Sequence, residues 1–366
     1  MPLTRLPLLL AVPFALALRG DAPRARPSPA AAPRAPKILL YVDMDGSSGV
    51  ADPRQVLYPN PEYFASRRFI TSDVNAAIAG LKDGGAGEIV VTDAHGSGND
   101  QEPDVLLDSL DRRATFLFRD APFDPYVDIL DSSYAAIVAV GMHARARSPG
   151  FMAHTVTLEP YYEVNGTPIT ESELIAISAA RYGIPVVMVA GDDVLEGQVR
   201  AALPGAAYAV VKRARGRAAA DLIPQEAVRA AIARAARAAM ATLGTVRPYA
   251  VAPEYRVDVG YWNRRQADLA MGAPGAVRVD STTIRLTAPA FPDAYARSLT
   301  ANQLARLDAM RWLQQAVLRR PDGAAILAEY RQLFVTAWLT PEALPASPAP
   351  APARAPAARR RYWGDS

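Results

Sequence analysis

The chain has 366 residues and three histidines, His95, His143 and His154, all within one stretch of sixty. His95 and His143 each follow an apolar run that reads as a buried strand, and a third such run, Lys37 to Val42, leads into Asp43 and Asp45. Imidazoles and carboxylates gathered at strand ends are the nitrogen and oxygen donors a divalent metal requires. Residues two apart in extended chain point the same way. Asp43 and Asp45 can therefore reach one site together, and so can Asp93 and His95. A fourth run ends in Asp192 and Asp193, and Gly46, Gly96 and Gly191 allow tight exits from the strands.

Each of these residues also has an ordinary reading. An Asp-x-Asp at a strand end commonly serves a turn or a helix cap. The metal reading rests on their joint occurrence at one predicted sheet edge. Thr170 to Glu173 has the form of a capping box, which assigns Glu171 a structural place in the first helical turn, where the helix dipole favours an acid. His154 lies eleven residues after His143, across the turn Ser148-Pro149-Gly150. It could be a ligand, a proton shuttle or a loop residue. Taken together, the pattern points to a metal-dependent hydrolase.

The elements that must position these residues alternate. Strands are predicted at 37–42, 87–92, 135–140 and 184–190, with helices at 63–80 and 170–182. Continuous apolar strands separated by helices indicate an α/β fold, a mostly parallel sheet with helices on both faces. In such sheets ligands bind at the carboxyl ends of the strands. From 206 to 340 the pattern becomes α+β, a smaller portion packed on the 37–205 core. It has a helix at 225–243, strands at 255–259 and 277–286, and helices at 302–318 and 324–338.

Composition narrows the chemistry. There is no cysteine, so thiolate ligands, cysteine nucleophiles and disulfides are excluded. No Gly-x-Ser-x-Gly elbow is present. The net charge of +3 is concentrated at the ends. Residues 1–36 carry five Arg against one Asp, and residues 341–366 carry four Arg against Glu342 and Asp365, which leaves −3 for 37–340. A basic nucleic-acid face is not supported. Arg5, the apolar stretch from Leu6 to Leu18 and the small-x-small Ala15-Leu16-Ala17 read as a signal peptide over 1–18. The expectation is an exported protein, periplasmic or secreted, with no stable membrane insertion after cleavage. Pro/Ala/Arg-rich composition marks 19–36 as a disordered linker and 341–366 as a disordered tail.

Several segments resemble the DppA-type bacterial zinc D-aminopeptidases. They are Tyr41 to Gly49, Val91 to Ser97, Val140 to Ala146, Ser148 to Thr155, Val164 to Glu171 and Pro185 to Asp193. Weaker similarity continues through Val211 to Arg213 and Ser281 to Thr283 to Tyr295. The resemblance implies two zinc ions per subunit, with Asp43 bridging them and Asp45, His95, His143 and Glu171 completing the ligands. Asp45 takes the place of the family's glutamate, one methylene shorter. His154 matches the catalytic histidine. The implied activity is release of an N-terminal D-amino acid, such as D-Ala, from short peptides, within a homo-oligomeric ring. The rival readings are an exported binuclear-metal phosphoesterase and a non-catalytic peptide- or metal-binding protein.

Overall fold

The computed structural model describes residues 35–99, 101–118, 124, 126–158 and 161–339. The expected signal peptide, nearly all of the linker and the tail lie outside the described residues.

Seven strands form the main sheet. They are β1 (Ile38–Val42), β2 (Ile89–Asp93), β3 (Thr115–Phe116), β4 (Ala136–Met142), β7 (Val186–Asp192), β8 (Ala207–Ala214) and β9 (Ala220–Leu222), in the spatial order β3-β2-β1-β4-β7-β8-β9. All neighbours are parallel except β8 and β9. Strand β1 shows why both faces must be covered. Ile38, Leu40 and Val42 enter one apolar core, and Leu39 and Tyr41 enter the other, as alternation along a strand requires. The first core is closed by α1 (Pro61–Asp83) and α4 (Gln225–Thr242), whose buried residues include Ile70, Val74, Ile78, Val228 and Ile232. The second is closed by α2 (Glu171–Ala180) and α3 (Asp193–Ala202), with residues of the second sheet and of the start of α6 (Phe291–Leu318).

The second sheet is antiparallel. It is built from β5 (Tyr161–Val164), β6 (Thr167–Pro168), β10 (Tyr255–Gly260), β11 (Val277–Arg278) and β12 (Thr283–Ala288), in the order β11-β12-β10-β5-β6. The sheets therefore do not divide the chain at residue 205. Strands β8 and β9 extend the parallel sheet, while β5 and β6 supply an edge of the antiparallel one. Helices α5 (Arg264–Ala270) and α7 (Gly323–Leu339) complete the described chain. The outer part of α6 and α7 leave Leu307, Trp312, Leu318, Tyr330 and Leu333 exposed. Among the described residues no helix is long and apolar enough to cross a membrane.

The mostly parallel α/β architecture expected from the apolar runs is the observed one, and its strand order marks a ligand site. The chain steps from β1 to β2 to β3 on one side, then returns to place β4 on the other side of β1. This reversal opens a crevice at the carboxyl ends of β1 and β4. Two glycines keep the strands close there. A Cβ on Gly46 would lie 1.8 Å from the carbonyl oxygen of Met142, and one on Gly141 would lie 1.8 Å from that of Asp43. Gly141 also adopts φ +79°, a conformation that favours glycine.

Candidate metal centre

The crevice gathers the six residues that the resemblance names as ligands or as catalytic. Asp43 follows β1, and its N–H still pairs with Val140 O at 3.0 Å, as in a strand. Its Oδ1 accepts from the N–H of Asp45 at 2.9 Å, a turn that brings the second carboxylate back beside the first. His95 leaves β2, His143 follows β4, Glu171 opens α2, and His154 is carried by the loop between β4 and β5. All but His154 are buried, and His154 is nearly so.

Side-chain donors form three overlapping groups whose ligand atoms lie within 4.8 Å of one another. These are Asp43, Asp45 and His95; Asp43, His143 and Glu171; and Asp45, His143 and His154. Asp43 belongs to the first two. The closest approaches are His95 Nε2 to Asp45 Oδ1 at 3.3 Å, His143 Nε2 to Asp43 Oδ2 at 3.4 Å, and His143 Nε2 to Glu171 Oε1 at 3.5 Å. His154 Nε2 stands 3.7 Å from Glu171 and 3.8 Å from Asp45, its ring stacked on that of His143 at 4.0 Å.

The other ring nitrogens decide how these imidazoles act. His95 Nδ1 meets Asp104 Oδ2 at 2.7 Å, His143 Nδ1 meets Ala144 O at 3.1 Å, and His154 Nδ1 meets Met152 O at 2.6 Å. A carbonyl oxygen can only accept, so in His143 and His154 Nδ1 carries the proton. A carboxylate imposes the same tautomer on His95. All three rings thus turn the lone pair of Nε2 towards the carboxylates, as a metal site demands. Asp45 Oδ1 and His143 Nε2 are buried and make no hydrogen bond. Such orphaned polar atoms are costly unless something pairs with them. Cations held by the two donor groups to which these atoms belong would give each a partner, so the residues present fit divalent metal.

The electrostatics agree. Burial opposes ionisation of Asp45, but the charges of His95, His154 and His143 overcome it and hold its carboxyl well below the usual range. Burial likewise opposes the charge on Glu171, yet His143 and His154 bring it down to about 2. Burial disfavours the imidazoliums of His95 and His143. The carboxylates of Asp45 and Asp104 for the first, and of Glu171 and Asp43 for the second, nevertheless raise both well above the ordinary value. The site is thus primed for positive charge.

A set of supporting residues fixes the ligands. Asp104 was not visible from the sequence. It takes His95 on one oxygen and the Tyr63 hydroxyl on the other, at 2.5 Å. Asp93 accepts from the N–H groups of His95, Asp104 and Val105, so it shapes the loop that presents both. Asp192 caps α3 through Leu195 N and holds Phe151 N, and Asp193 receives the N–H of Ala214. Both therefore serve the backbone, and Asp193 also faces the Arg213 guanidinium at 3.9 Å. Thr170 and Glu173 do form the capping box. That leaves Glu171 free to receive the Tyr126 hydroxyl on Oε2 while Oε1 faces His143. Lys212, wholly buried beneath the site, donates to Asp45 O at 3.0 Å. Burial lowers its pKa to about 7 against the pull of Asp45 and Asp192.

Comparison with known proteins agrees with this geometry. Residues 37–299 match the M55 peptidase family, described as D-aminopeptidase. The chain belongs to the M55 family of D-aminopeptidases. Its class is therefore metallo-aminopeptidase. It is 29% identical over 272 residues to a D-aminopeptidase of Bacillus subtilis (strain 168), covering 74% of this chain and 97% of that protein. The solved structure of the Zn-dependent D-aminopeptidase DppA from Bacillus subtilis, titled a self-compartmentalizing protease, superposes with a TM-score of 0.69 at 27% identity. It covers 74% of this chain and 97% of the other. The M55 match ends inside α6, so the outer part of that helix and α7 lie beyond it.

Proposed function

We propose that the chain releases an N-terminal D-amino acid, such as D-Ala, from short peptides, using two zinc ions per subunit. The observation that carries this reading is the common arrangement of the three histidines. Each spends Nδ1 on a hydrogen bond and points Nε2 at shared carboxylates.

In this reading Asp43 would serve both positions, because it belongs to both the His95 and the His143–Glu171 donor groups. Asp45 and His95 would complete one position, and His143 and Glu171 the other. A bound zinc pair supplies polarisation of the scissile carbonyl and an activated water near neutral pH. His154 does the proton work. Its Nδ1 is tied to Met152 O, so Nε2 is the atom that takes up and gives back a proton, and it delivers that proton to the departing amine.

The relatedness to a protein titled self-compartmentalizing supports a homo-oligomer, and residues 1–18 support export to a periplasm or beyond. The test is direct. Metal-stripped protein is titrated with zinc while zinc content and release of D-Ala from D-Ala-D-Ala are followed, with L-Ala-L-Ala and a phosphate monoester as comparisons. Activity rising to saturation at two zinc per chain, on the D-dipeptide alone, is the expected result. Phosphate release without peptide cleavage would replace the proposal.

A further inference from the structure

The loop that carries His154 also walls a cavity that the metal centre does not use. Its volume is about 350 Å3, and it is lined by Arg147, Ala153, Arg217, Tyr261, Trp262 and Thr282. Ala153 immediately precedes His154, and the N–H of Met152 bonds to the carbonyl of Arg217 at 3.0 Å. The cavity wall and the proton-transfer residue are therefore parts of one backbone unit. That unit is strained. Arg147, Met152 and Val156 have φ of 63°, 51° and 66°. Left-handed backbone at non-glycine residues is unfavourable and gathers at functional sites.

The lining chemistry is specific. Two guanidiniums face one cavity, and both side chains are exposed. Among the described residues neither forms an ion pair. Each is steadied by an aromatic ring, Arg147 over Tyr161 at 5.0 Å and Arg217 over Trp262 at 6.0 Å. Trp262 is 57% exposed, and its indole N–H bonds to Leu158 O at 3.0 Å. A pair of guanidiniums with no carboxylate partner among the described residues can receive a carboxylate. A broad aromatic face beside it offers an apolar contact for a small side chain. Ligand pockets span roughly 300–1,000 Å3, so this cavity suits a small group.

We propose that this cavity receives the free C-terminal carboxylate of the peptide substrate, clamped by Arg147 and Arg217, with the C-terminal side chain against Trp262. The proposal rests on the aminopeptidase reading of the adjacent metal centre and adds what that centre lacks. In that reading the metal centre engages the N-terminal end of the peptide, and Arg147 and Arg217 offer its acidic end a separate partner. Ala153 of the cavity wall is bonded in sequence to His154, so a carboxylate held by Arg147 and Arg217 would tie the peptide's far end to the loop that carries the proton-transfer residue.

Two measurements on the zinc-loaded, full-length protein test this. The first is calorimetric binding of N-acetyl-D-alanine and of its amide, neither of which has a free amine to be released. The wild type should bind the acid at least tenfold more tightly than the amide, and R147Q/R217Q should lose that preference. Equal binding of acid and amide by the wild type, or an undiminished preference in the variant, overturns the proposal. The second is kcat/KM on D-Ala-D-Ala against D-Ala-D-Ala amide. The variant should lose 10- to 100-fold on the acid, mainly through KM, and little on the amide. An equal loss on both substrates overturns the proposal. If neither peptide is cleaved by the wild type, the aminopeptidase reading falls, and the binding measurement still decides the cavity's role. Both arginines are exposed, and circular dichroism checks that the variant folds.

Discussion

Replacing Asp104 tests whether the metal centre depends on a residue that touches no metal. The Asp104 carboxylate receives His95 Nδ1 at 2.7 Å and the Tyr63 hydroxyl at 2.5 Å. It thereby fixes both the tautomer and the rotation of the ring that faces Asp45 at 3.3 Å. In Asp104→Asn one oxygen can still accept from Nδ1, but the bond is no longer charge-assisted and falls to about half its strength. A weakening of zinc binding by about tenfold follows, equivalent to about 1.4 kcal/mol. In Asp104→Ala the ring loses its acceptor inside a buried wall, and the loss should approach the upper end of the usual 10- to 100-fold range for such supports. Zinc affinity is read by competition with a chromophoric chelator at pH 7, with far-UV circular dichroism as the control for folding. A folded Ala variant that holds zinc as tightly as the wild type would refute the argument that His95 is oriented from behind.

Three further outcomes are expected. His154→Ala should keep its zinc yet lose on the order of 100- to 10,000-fold in kcat, the usual range for a positioned acid–base group; kinetics alongside elemental analysis checks both. Tyr126→Phe removes the donor on Glu171 Oε2 and should weaken zinc binding roughly tenfold with the fold unchanged, measured by the same chelator competition. Asp73 is buried, and desolvation lifts its pKa to about 6 against hydrogen bonds from Ser48. A folded-state pKa above the unfolded value of 3.8 means that the folded form binds the extra proton. This contribution to stability is present near pH 4 and is lost as pH rises through 6, by up to about 3 kcal/mol. Melting temperatures of Asp73→Asn relative to wild type should therefore rise between pH 4 and pH 7, and a constant difference would contradict the assignment.

Much of the site was legible because its residues sit where local rules place them. Asp43, Asp45, His95 and His143 stand at the ends of apolar strands, and a parallel sheet delivers such ends to one edge. The resemblance supplied Glu171 where local rules suggested only a cap. The structure resolves the tension, since Thr170 caps onto Glu173 and leaves Glu171 to face the crevice. Asp104 was invisible because nothing in its own neighbourhood marks it. It reaches His95 only through a loop folded onto Asp93. The fold was legible where strands are continuously apolar. It was less so at β5 and β8, whose alternating or interrupted burial gave no long apolar run. Strand β8, with Lys212 and Arg213 inside it, looks polar in sequence, yet Lys212 is completely buried against Asp45 O.

The glycine pair at the crevice leaves one dimension adjustable. With Gly46 and Gly141 already pressed to backbone contact, the two chain segments cannot approach further, and any larger side chain there would wedge them apart. Ion size and coordination at this point can then change only through the reach of what hangs from the frame. Position 45 is where that freedom lies: an aspartate stands there on a scaffold that cannot slide to meet it.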